Sequence, residues 1–277
     1  MQLGQRPECI FADPDNGTNV RDQILDQPCE SVHINIFAEF FADNIQKDGT
    51  LSSKRKGISG TLHRVSVIID PSVEPPRVLG VTVRVGRAME GLIQTMASGS
   101  GFFAPLIRSR QSLLIIGRPG VGKSTALREI AFLLSQNKNL IVVVVDKSKE
   151  LAGDGETPHP AIGNSRWMPV GKRGMQHEIM LEAVENQSPD VIIVDEISNM
   201  QEVHAAQTIA QRGIMLIATV HGNTIPELVK DRERGSLVGG CGTVTLSGRE
   251  AERRSDKRKQ VLKRNKEPGT YVVADIL

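Results

Sequence analysis

One stretch, Gly117-Arg118-Pro119-Gly120-Val121-Gly122-Lys123-Ser124 with Thr125 behind it, constrains this chain more than any other. It fits G-x-x-x-x-G-K-[ST], the pattern of a phosphate-binding loop. Its setting fits too. Ser112 to Ile116 (SLLII) is an apolar run of strand length, and beyond Gly122 the residues Ala126, Leu127, Ile130, Ala131, Leu133 and Leu134 recur at helical spacing. Strand, glycine turn and helix in that order let successive backbone N–H groups converge on phosphate oxygens at a helix N-terminus. In such a loop Lys123 reaches the β- and γ-phosphates and the Ser124 hydroxyl sits on Mg²⁺, so ATP and Mg²⁺ are the ligands it predicts.

The rest of the core, taken as residues 102–277, alternates strands and helices as a parallel sheet covered on both faces requires. Leu140 to Asp146 (LIVVVVD) is a continuous β-branched run that reads as a central strand. It ends in Asp146, with Lys147, Lys149 and Glu150 following. Ligands of such sheets sit at the carboxyl ends of strands, which puts Asp146 and Glu150 where chemistry can happen. Thr157 to Gly163 reads as irregular, and Met175 to Asn186 as an amphipathic helix. Val191 to Glu196 (VIIVDE) is a second buried strand, delivering two carboxylates to the same edge. Asp195 is suited to hold Mg²⁺, directly or through water, and Glu196 to polarise a water for attack on the γ-phosphate. Glu202 to Arg212 reads as a helix with Ala205, Ala206 and Ala210 on its inner side. Met215 to Val220 is a further strand, ending at Thr219, His221, Gly222, Asn223 and Thr224. There His221 is either a plain loop histidine or part of a polar cluster that reads the γ-phosphate. Gly242 to Leu246 and Tyr271 to Ile276 read as more strands.

Upstream, residues 1–57 are poorly defined: Asp13 to Gly17 is turn chemistry, Val32 to Ala42 is helix or strand, and Asp48 to Gly57 reads as a polar linker. Residues 58–101 form a small β-rich unit, with Arg64 to Asp70 and Val78 to Val85 as a two-stranded pair and Gly86 to Met96 as a possible helix. The fold expected is therefore α/β, a P-loop core on a mostly parallel sheet with a small N-terminal α+β appendage.

Composition closes some routes. At 3% aromatic residues, a base-stacking platform for single strands is poorly supplied. Cys9, Cys29 and Cys241 are odd in number and in no metal spacing, which favours a reducing compartment over a disulfide framework. No apolar run approaches the roughly 18 residues of a membrane span. Met1 to Cys9 reads neither as a secretory signal nor as a transit peptide. Net charge is +2, but residues 249–266 hold nine Lys/Arg against three Asp/Glu, and the first fifty residues hold nine acids against three bases. The basic stretch suits either phosphate backbones and anionic surfaces or a solvated, partly helical segment.

Five segments together carry a resemblance: TLHRVSVII…VLGVTVRVGRA, GRPGVGKSTALREIA, ELAGDGETPHPAIG, QHEIMLEAVENQSPDVIIVDEI and IAQRG…TVHGNT. They resemble a group of P-loop ATPases comprising plastid hypothetical reading frame 45 proteins, plant seedling-plastid-development proteins and bacterial stage III sporulation protein AA. The likeness covers roughly residues 60 to 277. It implies an AAA/RecA-like ATPase core related to secretion ATPases, working as an oligomer in plastids or otherwise in the cytoplasm. Asp, Glu and His boxes surround the nucleotide in that group; Asp146 to Glu150 matches the acidic box and Thr219 to His221 the histidine box. Two departures stand out. The loop ends Lys-Ser-Thr rather than Lys-Thr-Thr, which keeps the hydroxyl. The acidic box reads DKSKE rather than an Asp-Thr-Ser-Asn-Glu-like run, which brings in Lys147 and Lys149. Some relatives carry a C-terminal nucleic-acid-binding module with an Arg-x-x-x-His motif, and no such motif follows Tyr271 here.

The function expected is thus Mg²⁺-dependent ATP hydrolysis coupled to an unidentified protein or nucleic-acid substrate. A small-molecule kinase would share the loop but has no need of Glu196 to activate water. An ATP-switched nucleic-acid-binding protein draws its support from the basic stretch. Phosphoryl transfer also calls for a cation beyond Lys123. Arg118 lies in the loop itself. Arg84 and Arg87 in the upstream unit, and Arg212 at the entry to a strand, are the arginines suited to reach a phosphate across a subunit interface, and the related secretion ATPases favour the upstream pair.

Overall fold

The computed structural model describes residues 1–12, 19–41, 53–73, 77–89, 91, 93, 109–171, 174–239, 241–245, 260–264 and 271–275. The chain divides into two compact units, one of Met1–Arg87 with Gly153–Thr157, the other of Ala88–Ala152 with Pro158–Leu277. Among the described residues no helix is long and apolar enough to cross a membrane.

In the first unit β1 (Glu8–Ala12) and β2 (Asn19–Gln23) form an antiparallel pair. The helix α1 (Ser31–Phe40) resolves the stretch that periodicity alone left open. A three-stranded antiparallel sheet follows, ordered β3 (Arg55–Gly57), β4 (Arg64–Asp70), β5 (Arg77–Arg84). In β4 the alternation turns Val65 and Val67 inward, where they bury against Val78 and Val81 of β5 and against Ile34, Cys29 and Phe41. Two expectations are corrected here. Arg55 to Gly57 is a strand and not linker, because its backbone pairs with β4 although its side chains are polar. Val85 to Met89 has no regular structure, so the helix expected from Gly86 does not begin there. The turn at Asp13 to Gly17 lies outside the described residues. Asp154 accepts a hydrogen bond from the Gly57 N–H at 3.0 Å, which ties the Gly153–Thr157 segment into this unit.

The second unit is built on one sheet of six parallel strands. In chain order they are β6 (Ser112–Gly117), β7 (Val142–Asp146), β8 (Arg166–Pro169), β9 (Val191–Val194), β10 (Met215–His221) and, after two strands outside this sheet, β13 (Tyr271–Asp275). Their order across the sheet is β13-β6-β10-β9-β7-β8. All residues of β6, β7 and β9 are buried, which is why they read as unbroken apolar runs instead of alternating ones. Alternate residues serve opposite layers. Leu114 and Ile116 join the core formed with α3 (Gln176–Gln187) and α4 (Met200–Gln211). Leu113 and Ile115 join the core formed with α2 (Lys123–Ser135), where Leu127 and Ile130 are buried. Tyr271, itself buried, donates its hydroxyl to Ala206 O at 2.9 Å and so fastens β13 to α4.

The sequence left β8 unread: at four residues and with mixed burial it carries no usable period. A 3₁₀ turn at Pro160–Ile162 interrupts the stretch expected to be irregular. The strands β11 (Cys241–Thr245) and β12 (Gln260–Arg264) pair antiparallel. The described part of the basic stretch is therefore strand, not helix.

Candidate functional site

Parallel pairing brings the carboxyl ends of four neighbouring strands, β6, β10, β9 and β7, to one edge. In register, His221 lies opposite Gly117, and Val194 lies beside both Ala218 and Val145. Asp195 and Asp146, one residue beyond Val194 and Val145, are thereby neighbours. The loop Gly117–Thr125, the acids and the histidine converge because the strands are parallel.

Gly120 and Gly122 both have left-handed backbone (φ 85° and 100°). An added Cβ would meet nothing within 4 Å at either, so the backbone conformation and not crowding is what calls for glycine. Gly122 caps α2 without a side-chain hydrogen bond, leaving the first amides of the helix to the loop. Arg118, Pro119 and Gly120 are exposed, and Val121 and Gly122 half-buried. Thr125 accepts a hydrogen bond from Arg128 at 3.1 Å. The buried Lys123 ammonium donates to Gly117 O at 2.8 Å and Arg118 O at 2.7 Å, and meets His221 Nδ1 at 3.1 Å, which uses all three of its protons.

An ammonium facing Nδ1 assigns the imidazole: Nδ1 accepts, so Nε2 carries the proton. That Nε2 points to Glu196 Oε2 at 3.5 Å. Lys123, His221 and Glu196 thus form one chain across three strand ends. Ser124 Oγ lies 3.5 Å from Asp195 Oδ1.

Burial pushes the Asp195 carboxyl up to about 8, and the charges of Asp146, Glu150 and Glu196 push the same way while Lys123 opposes them. Burial also raises Asp146, to about 6, against the pull of backbone hydrogen bonds from Ala152, Leu151 and Glu150. The Lys123 ammonium is lowered by burial and supported by Asp195 and Glu196. The edge is therefore crowded with carboxylates, a setting that favours a cation among them.

Asp146 is turned into its own loop. Its carboxylate accepts from the amides of Glu150, Leu151 and Ala152 at 3.2, 3.0 and 2.8 Å, and it organises the turn that carries Glu150. Lys147, the departure from the family pattern, has a structural partner. Its ammonium reaches Ser198 Oγ at 3.0 Å and Glu202 Oε1 at 3.1 Å, and Glu202 is fully buried.

Thr219, expected in the strand-end cluster and the histidine box, accepts through Oγ1 from the Glu196 amide at 3.0 Å. Two contributors escaped the sequence reading: Gln176 Nε2 donates to Glu196 O at 2.9 Å, and Arg234 donates to His221 O at 2.9 Å, and no motif marks either. A cleft of about 470 Å³ opens beside Glu196, lined also by Ser198 and Asp231 to Arg234. Arg212 caps the end of α4 and is exposed, at the amino-terminal approach to β10 and so at the other end of that strand from His221. Arg84 ends β5 and Arg87 follows it; both are exposed members of the first unit.

A parallel sheet with a glycine loop entering a helix at its first strand is a RecA-like P-loop core, here with an N-terminal α+β appendage. Solved structures share that fold. The chain superposes on the pilus retraction motor PilT, solved with bound ADP, at a TM-score of 0.59 and 18% identity over 89% of this chain and 73% of that one. For the ATPase DotB of Legionella pneumophila the values are 0.55 and 16%, over 95% and 74%. Residues 97–273 match the family described as Sporulation stage III, protein AA, and the chain belongs to that family. It is 40% identical to the ycf45 protein of Porphyra purpurea over 276 residues, all of this chain and 45% of that relative. It is 39% identical to Protein SEEDLING PLASTID DEVELOPMENT 1 of Arabidopsis thaliana over 277 residues, 99% of this chain and 36% of the relative. The chain thus spans less than half the length of either relative.

Proposed function

We propose that this chain binds ATP with Mg²⁺ and hydrolyses it as an oligomeric P-loop ATPase, driving a remodelling or assembly task in plastids. The observation that carries the reading is the continuous chain Lys123–His221–Glu196 beside the Ser124–Asp195 pair, which joins a phosphate-binding cation to a base and a metal site. In this reading the amides of Gly117 to Thr125 cradle the phosphates and Lys123 neutralises them. Glu196 takes the proton of the attacking water, and His221 orients that carboxylate through Nε2–H. Glu150 adds negative charge to the same edge.

Ser124 and Asp195 fit Mg²⁺, since hydroxyl and carboxylate oxygens are the hard donors that ion prefers. Among the described residues no three His, Cys, Asp or Glu side chains are arranged to hold a metal unaided. That agrees with an ion that shares its coordination with phosphate and water. When bound, Mg²⁺ would offset charge on the β- and γ-phosphate oxygens.

Support for the oligomer and the plastid setting comes from the fold shared with PilT and DotB and from the names of the relatives. In the oligomer, Arg84 and Arg87, and secondarily Arg212, supply the cation that Lys123 alone does not. The decisive test measures phosphate release with ATP and Mg²⁺ and no acceptor. Wild type releases phosphate, and Glu196→Gln keeps nucleotide affinity but loses about 100-fold or more in turnover. Wild-type turnover in Glu196→Gln would move the base elsewhere, first to Glu150. Release only in the presence of an acceptor would mark a kinase.

A further inference from the structure

We propose that Gln176 is a positioning residue that holds the Glu196 backbone in the conformation from which its carboxylate acts. The inference rests on the reading of Glu196 as the base. Glu196 has φ 45°, in the left-handed region that a glutamate rarely occupies. A strained residue of this kind persists only where its surroundings over-determine it. Both backbone groups of Glu196 are held by buried side chains. Its N–H donates to Thr219 Oγ1 at 3.0 Å, and its carbonyl accepts from Gln176 Nε2 at 2.9 Å. Thr219 is 1% exposed and Gln176 0%. The next residue, the fully buried Ile197, donates its N–H to Thr219 O at 2.8 Å.

Among the described residues the Gln176 carboxamide makes no other hydrogen bond, and its buried Oε1 has no partner there, which is unfavourable for stability. Reversing the amide would set Oε1 against the Glu196 carbonyl, so the orientation follows from chemistry. A side chain that leaves one buried acceptor unpaired in order to donate to one carbonyl is positioned for that carbonyl. The left-handed turn it holds is the point where the chain leaves β9 and the carboxylate turns toward His221, 3.5 Å away. Releasing the carbonyl lets Glu196 relax toward ordinary backbone and moves its carboxylate off the water it activates. A misplacement on the order of 1 Å costs about 100-fold in rate.

The test compares Gln176→Met, which keeps length and burial but cannot donate, with wild type in phosphate release from ATP and Mg²⁺. Gln176→Met is expected to lower kcat about 100-fold while KM and the affinity for a fluorescent ATP analogue stay within about twofold. It should add no further loss to the residual turnover of Glu196→Gln, because the two act through one carboxylate. If Gln176→Met does not melt cooperatively, Thr219→Val takes its place: it should lower kcat alone, and Thr219→Ser should recover much of the rate. Wild-type kcat in Gln176→Met or in its stand-in, or equal losses in kcat and nucleotide affinity, overturns the proposal while leaving Glu196 as the base. Wild-type kcat in Glu196→Gln overturns the underlying reading instead.

Discussion

Lys123 Nζ lies 3.1 Å from His221 Nδ1, although the residues are 98 positions apart. The contact follows from β6 and β10 being parallel neighbours with Gly117 opposite His221. In the proposed site Lys123→Ala removes the cation from the phosphate cradle, and hydrogen bonds to charged groups are worth about 1.5–3 kcal/mol each. Nucleotide affinity should fall at least about 30-fold in an equilibrium titration with an ATP analogue. His221→Ala, which leaves the cradle intact, should instead lower kcat roughly tenfold with little change in affinity. Unchanged affinity in Lys123→Ala would mean that nucleotide binds elsewhere.

Asp195 carries a pH signature. Its pKa rises from 3.8 to about 8 on folding, chiefly through burial. A carboxyl of raised pKa binds more protons in the folded than in the unfolded chain, so its contribution to stability is full below about pH 4. That contribution is lost progressively as pH climbs to about 8. Without divalent metal, the wild-type Tm should fall between pH 5 and pH 8, and Asp195→Asn should flatten the fall. At pH 8 the variant should melt at least about 5 °C higher, at roughly 2–4 °C per kcal/mol for a chain of this size. Equal slopes in thermal melts of the two proteins would assign the ionisation to other groups.

Lys147 neutralises Glu202, whose side chain is 0% exposed. Lys147→Met strands that carboxylate, and breaking a buried pair from one side costs about 3–5 kcal/mol. The Lys147 side chain is 23% exposed, which places the expected loss at the lower end, about 3 kcal/mol. Urea unfolding measures it. Adding Glu202→Gln should recover most of the loss, because the amide keeps an acceptor for the Ser198 N–H, now bonded at 2.7 Å. A Lys147→Met protein of wild-type stability would show the pair to be idle.

Shared sites between subunits make a separate prediction. Arg84→Ala/Arg87→Ala and Lys123→Ala proteins should each be inactive alone. Mixed, they should regain ATPase activity, since some interfaces then combine an intact loop with an intact arginine pair. Full activity in the double arginine variant, or turnover independent of protein concentration down to a demonstrated monomer, would sink the idea.

Much of the second unit was legible because its physics is local. A fully buried strand must be continuously apolar, so SLLII, VVVV and VIIV announce themselves, and the glycines of the loop mark positive φ. Where burial is partial the reading failed. Polar Arg55 to Gly57 became a strand through backbone pairing that its side chains do not reveal. The short edge strand Arg166–Pro169 has too few residues to show a period.

By itself the sequence determined the glycine loop between strand and helix, the strand-end acids and the parallel α/β class, since each depends on residue type within a few positions along the chain. Only the tertiary structure decided which of those groups meet. Strand order put His221 against Lys123, and the first turn of α4 gave Lys147 its partner Glu202. The left-handed turn at Glu196 is held by Gln176 and Thr219, which lie 20 and 23 residues away in opposite directions. Such contacts carry no periodicity and no motif. They form because a packed interior must find partners for its buried N–H and C=O groups wherever the fold supplies them.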